Sequence, residues 1–363
     1  MKVNKKQRNS MIELLRIISM ILIVLSHYSS KSGVDIQTLP LLSRYFFELT
    51  ILGNLGVDIF VLITGYYGLK QPFSLNRIVK FVLEVFFYSI SIYLIVNIFS
   101  GGNIKIIELI KSCLPLTFNI YWFATVYFVL LLIQPFLNKF LNSITQQYHL
   151  LFIVVLFTIF SLLKTITTME FYGNELTIFI LLYSMGAYIQ RTNKTVSKKN
   201  VLYIIFISLF LILSTIILDY ICINKNLNIK YLRYFFSKES LFIILLSINI
   251  FLLFTKKVFS NKIMNYITPS IFSIYLIHEN PYIRSFLWDL LRVKQYSESG
   301  WVLILNCLFS IAFIFIISLL IDIIRRELFE KHFLKLISKP VTNLEKRIKE
   351  LLDESKKALN KGV

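Results

Sequence analysis

Long apolar runs, separated by short polar and basic segments, fill the chain from residue 11 to residue 324. Most runs are about 17 to 22 residues long, which is enough for an α-helix to cross a hydrocarbon core of about 30 Å. The pattern therefore predicts an all-α integral membrane protein with about ten transmembrane helices. The predicted helices cover residues 11–28, 51–69, 77–99, 121–138, 149–166, 175–190, 201–222, 238–255, 264–279 and 301–324.

The composition agrees with a membrane protein. Hydrophobic residues make up 56% of the chain and charged residues only 16%. A soluble domain carries roughly 25% charged residues, so these charges are too few to coat a water-facing globule of this size. Basic residues precede the first apolar run, as in a signal peptide, but no small-residue cleavage site follows it. The run is therefore predicted to remain as the first transmembrane helix.

The formal net charge of +19 is distributed in a way that predicts orientation. With ten spans and a cytoplasmic N-terminus, the cytoplasmic segments hold two thirds of the 39 Lys and Arg residues. This excess predicts that both termini lie in the cytoplasm. No separate basic domain with interleaved aromatic residues exists, so nucleic acid is not an expected partner. We divide the chain into a basic N-terminus (1–10), a transmembrane domain (11–324) and a cytoplasmic tail (325–363).

The tail carries a different helical pattern over residues 341–360. Its apolar residues follow helical spacings of three, four and seven: Leu344, Ile348, Leu351, Leu352 and Leu359. This stripe predicts a short amphipathic helix, which either lies on the inner leaflet or pairs with another helix.

Two polar residues interrupt the otherwise apolar first helix. Arg16 and His27 are 11 residues apart, which places them within about 20° of the same face and about 16 Å apart along the axis. They form a polar stripe of the kind expected for the wall of an interior cavity, with Arg16 toward the cytoplasm and His27 toward the outer face. A structural reading stays open, in which Arg16 only pairs with Glu13 one turn away or reaches the headgroups.

Other ionisable residues also lie in predicted spans, where a charge is costly and marks a candidate functional site. Asp58 lies among apolar residues of the second helix, and His278 and Glu279 end the ninth helix on the same outer side as His27. Two histidines and a carboxylate near one face suit general acid–base chemistry. The alternatives are a structural Asp58 and a polar cap at the end of the ninth helix. The remaining candidates are Glu13, Glu84, Asp219 and Asp322.

Five motifs, in consistent order, resemble the acyltransferase-3 family of membrane acyltransferases. Arg16 and His27 match the family's first-helix pattern of a basic residue, ten residues and a histidine. The other matches lie at residues 56–66, 77–80, 121–123 with 134–135, and 274–278. In the third motif Arg77 matches the first Arg of the family pattern, but Lys80 stands where the pattern has a second Arg. A lysine keeps the positive charge but cannot bind a phosphate through two parallel hydrogen bonds as an arginine does. The resemblance covers residues 11 to about 324.

The resemblance implies an acyl-CoA donor, usually acetyl-CoA, and transfer of the acyl group to a hydroxyl. The implied acceptor is a surface glycan or its lipid-linked precursor, such as a capsule or exopolysaccharide. The chain is rich in Lys, Ile and Asn, as expected from a low-GC genome, which favours the plasma membrane of a bacterium with one membrane as the location. The expected form is the stand-alone type, without an extracellular esterase-like domain. The three cysteines are widely spaced, so no metal site is predicted. The oligomeric state is not predicted.

The resemblance also implies roles for individual residues. His27 and Arg16 are the expected catalytic residues, and His278, Glu279 or Asp58 is expected to orient His27 or act as an acid or base. His27 either deprotonates the acceptor hydroxyl or carries the acyl group transiently, and the sequence leaves both readings open.

The CoA phosphates are predicted to bind at the cytoplasmic mouth near Arg16, Arg77 and Lys80, because fixed cations suit phosphate oxygens. The pantetheine arm would then reach along the first helix toward His27. The main alternative function is a multispanning transporter or flippase of a lipid-linked sugar, for which internal symmetry would be expected. A glycan polymerase and a structural membrane subunit are further alternatives.

Overall fold

The computed structural model of the chain describes residues 9–167, 174–193, 197–225, 229–298 and 300–361. These residues form helices and turns, and none of them lies in a β-strand, which confirms the all-α prediction. The first eight helices are α1 (Ser10–Lys31), α2 (Leu41–Leu49), α3 (Gly53–Gly68), α4 (Leu75–Phe99), α5 (Ile106–Cys113), α6 (Trp122–Ser143), α7 (Gln146–Phe157) and α8 (Leu163–Thr167).

Nine further helices follow in the second half of the chain. They are α9 (Glu175–Thr192), α10 (Lys198–Asn224), α11 (Leu241–Thr255), α12 (Lys262–Ile267), α13 (Ile271–His278), α14 (Arg284–Leu290), α15 (Val293–Tyr296), α16 (Gly300–Arg325) and α17 (Lys331–Lys361). Single 3₁₀ turns form at Ile36–Thr38 and Thr268–Ser270, a longer 3₁₀ helix forms at Ile229–Phe236, and π turns form at Thr158–Leu162 and Arg326–Glu330.

Seven helical stretches in the described part of the chain are long and apolar enough to cross a bilayer. They are Ser10–Lys31, Leu41–Gly68, Leu75–Phe99, Trp122–Ser143, Gln146–Thr167, Lys198–Cys222 and Gly300–Ile348.

Three of the ten predicted spans fall outside this set. Glu175–Thr192 has polar residues at both ends, Leu241–Thr255 has only 15 residues, and a 3₁₀ turn breaks the span predicted at 264–279. The ten-span count and the cytoplasmic position of the termini stay predictions.

Helix α3 occupies the centre of the bundle, where it packs against α1, α9 and α11. Two glycines allow this close packing. A Cβ atom at Gly56 would lie 2.4 Å from the carbonyl oxygen of Ser19 in α1, and one at Gly65 would lie 2.1 Å from that of Tyr183 in α9. Small residues bring helix backbones close together in membranes, where packing replaces the hydrophobic driving force. The glycines therefore fix α1 and α9 against α3.

The outer helices present apolar side chains to their surroundings. Along α10, for example, Leu202, Phe206, Leu213 and Ile217 are all exposed. An exposed apolar stripe of this length is expected on a helix that faces lipid.

The ninth predicted span is broken at Pro269, which lies in the 3₁₀ turn between α12 and α13. Backbone groups at such a break need partners if they lie at membrane depth. Arg326 supplies one, because its Nη1 donates hydrogen bonds to the carbonyl oxygen of Tyr266 (3.1 Å) and to Oγ of Ser270 (2.9 Å). The break lets α13 begin on a new axis and carry His278 at its end.

The end of the last long helix and the tail are continuous. Helix α16 runs through Arg325, and a single π turn leads into α17, which contains the predicted amphipathic segment 341–360. The carboxylate of Glu345 accepts a hydrogen bond from the backbone N–H of Leu75 at 2.9 Å, so the tail is fixed at the start of α4. The side chains of the predicted stripe from residue 351 onward lie outside the described residues, as do residues 1–8 of the basic N-terminus.

Candidate functional site

Two cavities follow one another along the polar stripe of α1. The larger, about 740 Å³, is lined by Glu13 and Arg16 and is called here the Arg16-side cavity. The smaller, about 70 Å³, is lined by His27 and by Met20 and Ile23, and is called the His27-side cavity. The stripe predicted from the sequence therefore faces interior space at both of its ends.

His27 contacts two side chains from the far end of the chain. Its Nδ1 lies 2.8 Å from Nε2 of His278 and 3.4 Å from Oε1 of Glu279. His278 is fully buried and Glu279 is nearly so, while the side chain of His27 keeps 15% of its exposure. The structure thus brings together three of the residues that the sequence placed on one side of the membrane.

The hydrogen bonds determine which nitrogens carry protons. Nδ1 of His278 lies 2.5 Å from the carbonyl oxygen of Ile274, which can only accept, so this nitrogen carries hydrogen. In neutral His278 the lone pair is then on Nε2, and His27 must donate its Nδ1 hydrogen to it. This leaves the lone pair of neutral His27 on Nε2. The arrangement is that of a base whose tautomer is fixed by a neighbour, as in a catalytic triad.

Glu279 places a negative charge beside this histidine pair. One of its oxygens is held by Arg284, whose Nη1 lies 3.4 Å from Oε2. The other oxygen, Oε1, has no hydrogen-bond partner among the described residues and points to within 3.4 Å of His27 Nδ1. A carboxylate in this position stabilises an imidazolium when His27 takes up a proton.

The same three residues form the group best placed to hold a metal ion in the described part of the chain, with ligand atoms within 4.8 Å of one another. Metal binding would require lone pairs on both facing histidine nitrogens, and therefore the loss of the hydrogen bond between them. The hydrogen-bonded arrangement instead uses one of these nitrogens as a donor.

Arg16 lines the larger cavity but is already paired. Its Nη1 contacts both oxygens of Glu13, at 2.9 and 2.8 Å, and its side chain keeps 30% exposure. The pairing considered from the sequence is therefore present, together with the cavity-lining position. An anion that binds Arg16 has to share it with Glu13.

The two other predicted phosphate ligands have partners of their own. Arg77 donates a hydrogen bond to the carbonyl oxygen of Pro72 and lines a crevice that shares Gln71 with the Arg16-side cavity. Lys80 forms an ion pair with Glu330 at 2.6 Å. Neither lines the Arg16-side cavity, so the described arrangement does not bring these three cations together.

Asp58 lies away from the histidine pair. Its side chain is fully buried, and neither carboxylate oxygen has a hydrogen-bond partner among the described residues. Lys238 and Glu239 are the charged residues that act on it electrostatically. Asp58 therefore does not orient His27 in this arrangement, and His278 and Glu279 occupy that position.

Glu84 and Asp322, two of the candidate residues named from the sequence, belong to a buried charge cluster that forms the wall of the Arg16-side cavity at Glu84. Arg325 lies at its centre, 2.7 Å from Asp322, 2.9 Å from Glu330 and 3.7 Å from Glu84. Arg325 was missed because the predicted span ended one residue before it. Buried charges of opposite sign stabilise each other, and loss of one partner leaves the others uncompensated.

Three aromatic residues also belong to the site, although the sequence did not identify them as site residues. Phe60, Phe123 and Phe272 each line both cavities. Phe60 and Phe123 lie inside family motifs and Phe272 lies two residues before one, but aromatic residues are too frequent in this chain, at 15%, to stand out by type.

Comparison with known proteins agrees with the geometry. The model of the acyltransferase-3 family, described as an acyltransferase domain, matches residues 9–323, a range that contains every residue lining the two cavities. Searches of curated proteins and of solved structures found no match. The apolar helices and the family match together make this a multi-pass membrane acyltransferase. Since the match spans most of the chain, the protein belongs to the acyltransferase-3 family.

Proposed function

We propose that the protein is an O-acetyltransferase that moves an acetyl group from cytoplasmic acetyl-CoA to a hydroxyl of a cell-surface or lipid-linked polysaccharide, such as a capsule or exopolysaccharide. The observation that carries the proposal is the hydrogen-bond chain from Ile274 through His278, which leaves Nε2 of His27 as a free base. The proposed location is a bacterial plasma membrane, with the Arg16 end of the bundle toward the cytoplasm.

The donor enters from the Arg16 end. The Arg16-side cavity, at about 740 Å³, is in the size range of small-molecule and cofactor sites. Arg16 attracts the phosphates at its mouth, and the slim pantetheine arm extends along α1, over an axial distance of about 16 Å to His27. Arg77 and Lys80 contribute positive potential from the same end, and they contact phosphate directly only if their present partners are released.

His27 acts as the general base in this mechanism. Its Nε2 takes the proton of the acceptor hydroxyl while the hydroxyl oxygen attacks the thioester carbonyl carbon. The tetrahedral intermediate then breaks its C–S bond, and the CoA thiolate leaves and takes the proton from His27 Nε2–H. The new ester and free CoA thiol account for all atoms. Glu279 offsets the positive charge that His27 carries between the two proton transfers.

The small size of the His27-side cavity supports a short acyl group. Its apolar lining comes from Met20, Ile23 and Val57, which suits the methyl group of an acetyl thioester. The acceptor hydroxyl reaches His27 from the opposite end to the donor. Direct transfer of this kind needs donor and acceptor together at His27.

The test uses purified protein in lipid, radiolabelled acetyl-CoA and cell-surface glycan fractions. We expect label in the glycan with the wild type and only a small residual rate with His27→Ala, while His332→Ala serves as the matched control because His332 is exposed on α17. Equal transfer by His27→Ala would contradict the proposal. Mass spectrometry of the protein after acetyl-CoA addition alone separates direct transfer, which leaves the protein unmodified, from a covalent acetyl-histidine.

The same preparation tests the transport alternative. Protein that neither binds acetyl-CoA nor labels glycan, yet moves a lipid-linked sugar across reconstituted vesicles, would be a flippase with a shared fold. The wild type is then compared with His27→Ala for the crossing rate.

A further inference from the structure

The two cavities lie end to end on the same four helices. On α3, Val57 lines the His27-side cavity and Thr64 lines the Arg16-side cavity, two turns away. Helices α1, α6 and α13 show the same division along their lengths. The two spaces are therefore consecutive parts of one path through the bundle.

The path is divided at one level by Phe60 of α3, Phe123 of α6 and Phe272 of α13, which line both cavities. The ring centroids of Phe60 and Phe123 are 6.5 Å apart, and those of Phe123 and Phe272 are 6.2 Å apart. Aromatic rings at such distances are in contact. These pairs therefore leave no open channel between them.

Further rings support this layer from the Arg16 end. Tyr127 stacks on Phe123 with centroids 5.6 Å apart, and Phe81 stacks on Phe272 at 5.2 Å. The hydroxyl of Tyr127 is in turn 3.2 Å from that of Thr64. Rings on the donor side thus hold Phe123 and Phe272 in place.

We propose that Phe60, Phe123 and Phe272 form an aromatic gate between the donor's entry cavity and His27, and that this gate selects short, unbranched acyl thioesters. This inference rests on the proposed function for its selectivity, whereas the closed layer itself does not depend on it. The three rings come from three different helices, so rotation of one ring about its side-chain torsions opens a gap without separating the helices. An extended thioester fits such a gap more easily than a bulky acyl group.

The gate also has a chemical role. A thioester beside a general base is exposed to hydrolysis whenever water reaches it, and a closed apolar layer excludes water from one side. With no donor in place, the layer separates His27 from the Arg16 end. With a donor in place, the arm itself fills the gap.

The first test measures how fast a cysteine on each side of the gate is labelled, and it does not require acyl transfer. The three native cysteines are replaced by Ala, and a single cysteine is introduced by Val57→Cys or, as the control on the near side, by Thr64→Cys. Vesicles containing each protein receive the membrane-impermeant reagent sulfonatoethyl methanethiosulfonate only on the side from which the Thr64→Cys protein reacts.

With the gate intact, we expect the Val57→Cys protein to react at least tenfold more slowly than the Thr64→Cys protein. Adding Phe272→Ala should raise the rate at position 57 at least tenfold and leave the rate at position 64 unchanged. The matched control is Phe309→Ala, an exposed ring of α16, which should change neither rate. Phe272→Leu serves as a milder variant if Phe272→Ala does not fold.

Two results would overturn the gate. One is equal labelling at positions 57 and 64 with all three rings present, and the other is no change at position 57 after a folded Phe272 variant is introduced.

The second test measures selectivity, as the ratio of hexanoyl to acetyl transfer. This ratio should rise at least fivefold in Phe272→Ala and stay constant in Phe309→Ala. An unchanged ratio in Phe272→Ala refutes the selective role of the gate. If the wild type transfers no acyl group, the proposed function fails, and the labelling rates still decide whether the layer is closed.

Discussion

The pairing of His27 with His278 makes the most direct prediction about catalysis. In His278→Phe a ring of similar shape remains, but the acceptor 2.8 Å from Nδ1 of His27 is lost. Glu279, at 3.4 Å, is then the remaining acceptor for this hydrogen. A buried donor without a proper partner costs about 1–3 kcal/mol. We therefore expect kcat for acyl transfer to fall about 5- to 150-fold, at about tenfold per 1.4 kcal/mol.

The assay is the initial rate of glycan labelling at varied acetyl-CoA concentrations. The KM for acetyl-CoA should stay within about twofold, because ground-state binding at the Arg16 end is not altered and only the chemical step is slowed. His278→Gln, whose amide oxygen restores an acceptor, should recover part of the rate. Thermal unfolding in detergent checks that each variant is folded.

A double-mutant comparison separates positioning from a general structural effect. If His278 acts only through His27, then His278→Phe should slow the residual activity of His27→Ala by less than about twofold, since residues that act as a unit are not additive. An unchanged kcat in a folded His278→Phe protein would refute the reasoning. So would an equal loss of rate with and without His27.

Three further predictions concern other parts of the bundle. Glu13→Gln should tighten acetyl-CoA binding about 1.4- to 5-fold by calorimetry, because it frees Arg16 from an ion pair worth about 0.2–1 kcal/mol. Gly65→Ala should lower the free energy of unfolding by at least about 1–3 kcal/mol through overlap with α9, and Gly102→Ala, in a loop with nothing closer than 3.4 Å, should not. Arg325→Met should lower the free energy of unfolding by about 3–5 kcal/mol, because three carboxylates lose their buried cation.

For each of these three predictions, one result would contradict the reasoning. Unchanged or weaker binding by Glu13→Gln would mean that Arg16 does not meet the donor. Equal melting temperatures for Gly65→Ala and Gly102→Ala would mean that α3 and α9 can separate without cost. A fully stable Arg325→Met protein would mean that the carboxylates around it are neutral.

The sequence predicted those features that depend on local pattern. Helix length and period are properties of a single segment, so most of the long helices and the common face of Arg16 and His27 followed from spacing alone. For His27, His278 and Glu279, the sequence predicted only that they lie on the same side of the membrane. His278 is 251 residues away in the chain, and only the packing of α13 on α1 brings the two rings into contact.

Features that depend on irregular backbone were not predicted. The 3₁₀ turn at Pro269 shortens a span that the apolar run alone made continuous. The π turn at Arg326–Glu330 changes the helical register, which brings Glu330 to Lys80 and removes that lysine from a free phosphate-binding role in the described arrangement. Neither change has a signal in hydrophobic periodicity, because each alters the period over a few residues only.

The contact between Arg326 and the broken helix has a consequence for how the sequence can vary. The guanidinium of Arg326 donates hydrogen bonds to the carbonyl oxygen of Tyr266 and to Oγ of Ser270, one on each side of Pro269, so the arginine and the break are coupled in the structure. In a relative whose residue 269 is not proline and whose helix runs straight, the carbonyl of residue 266 accepts from the N–H of residue 270 as in any regular helix, and the arginine is not needed there. Positions 269 and 326 are therefore expected to covary among relatives, although they are far apart in the chain.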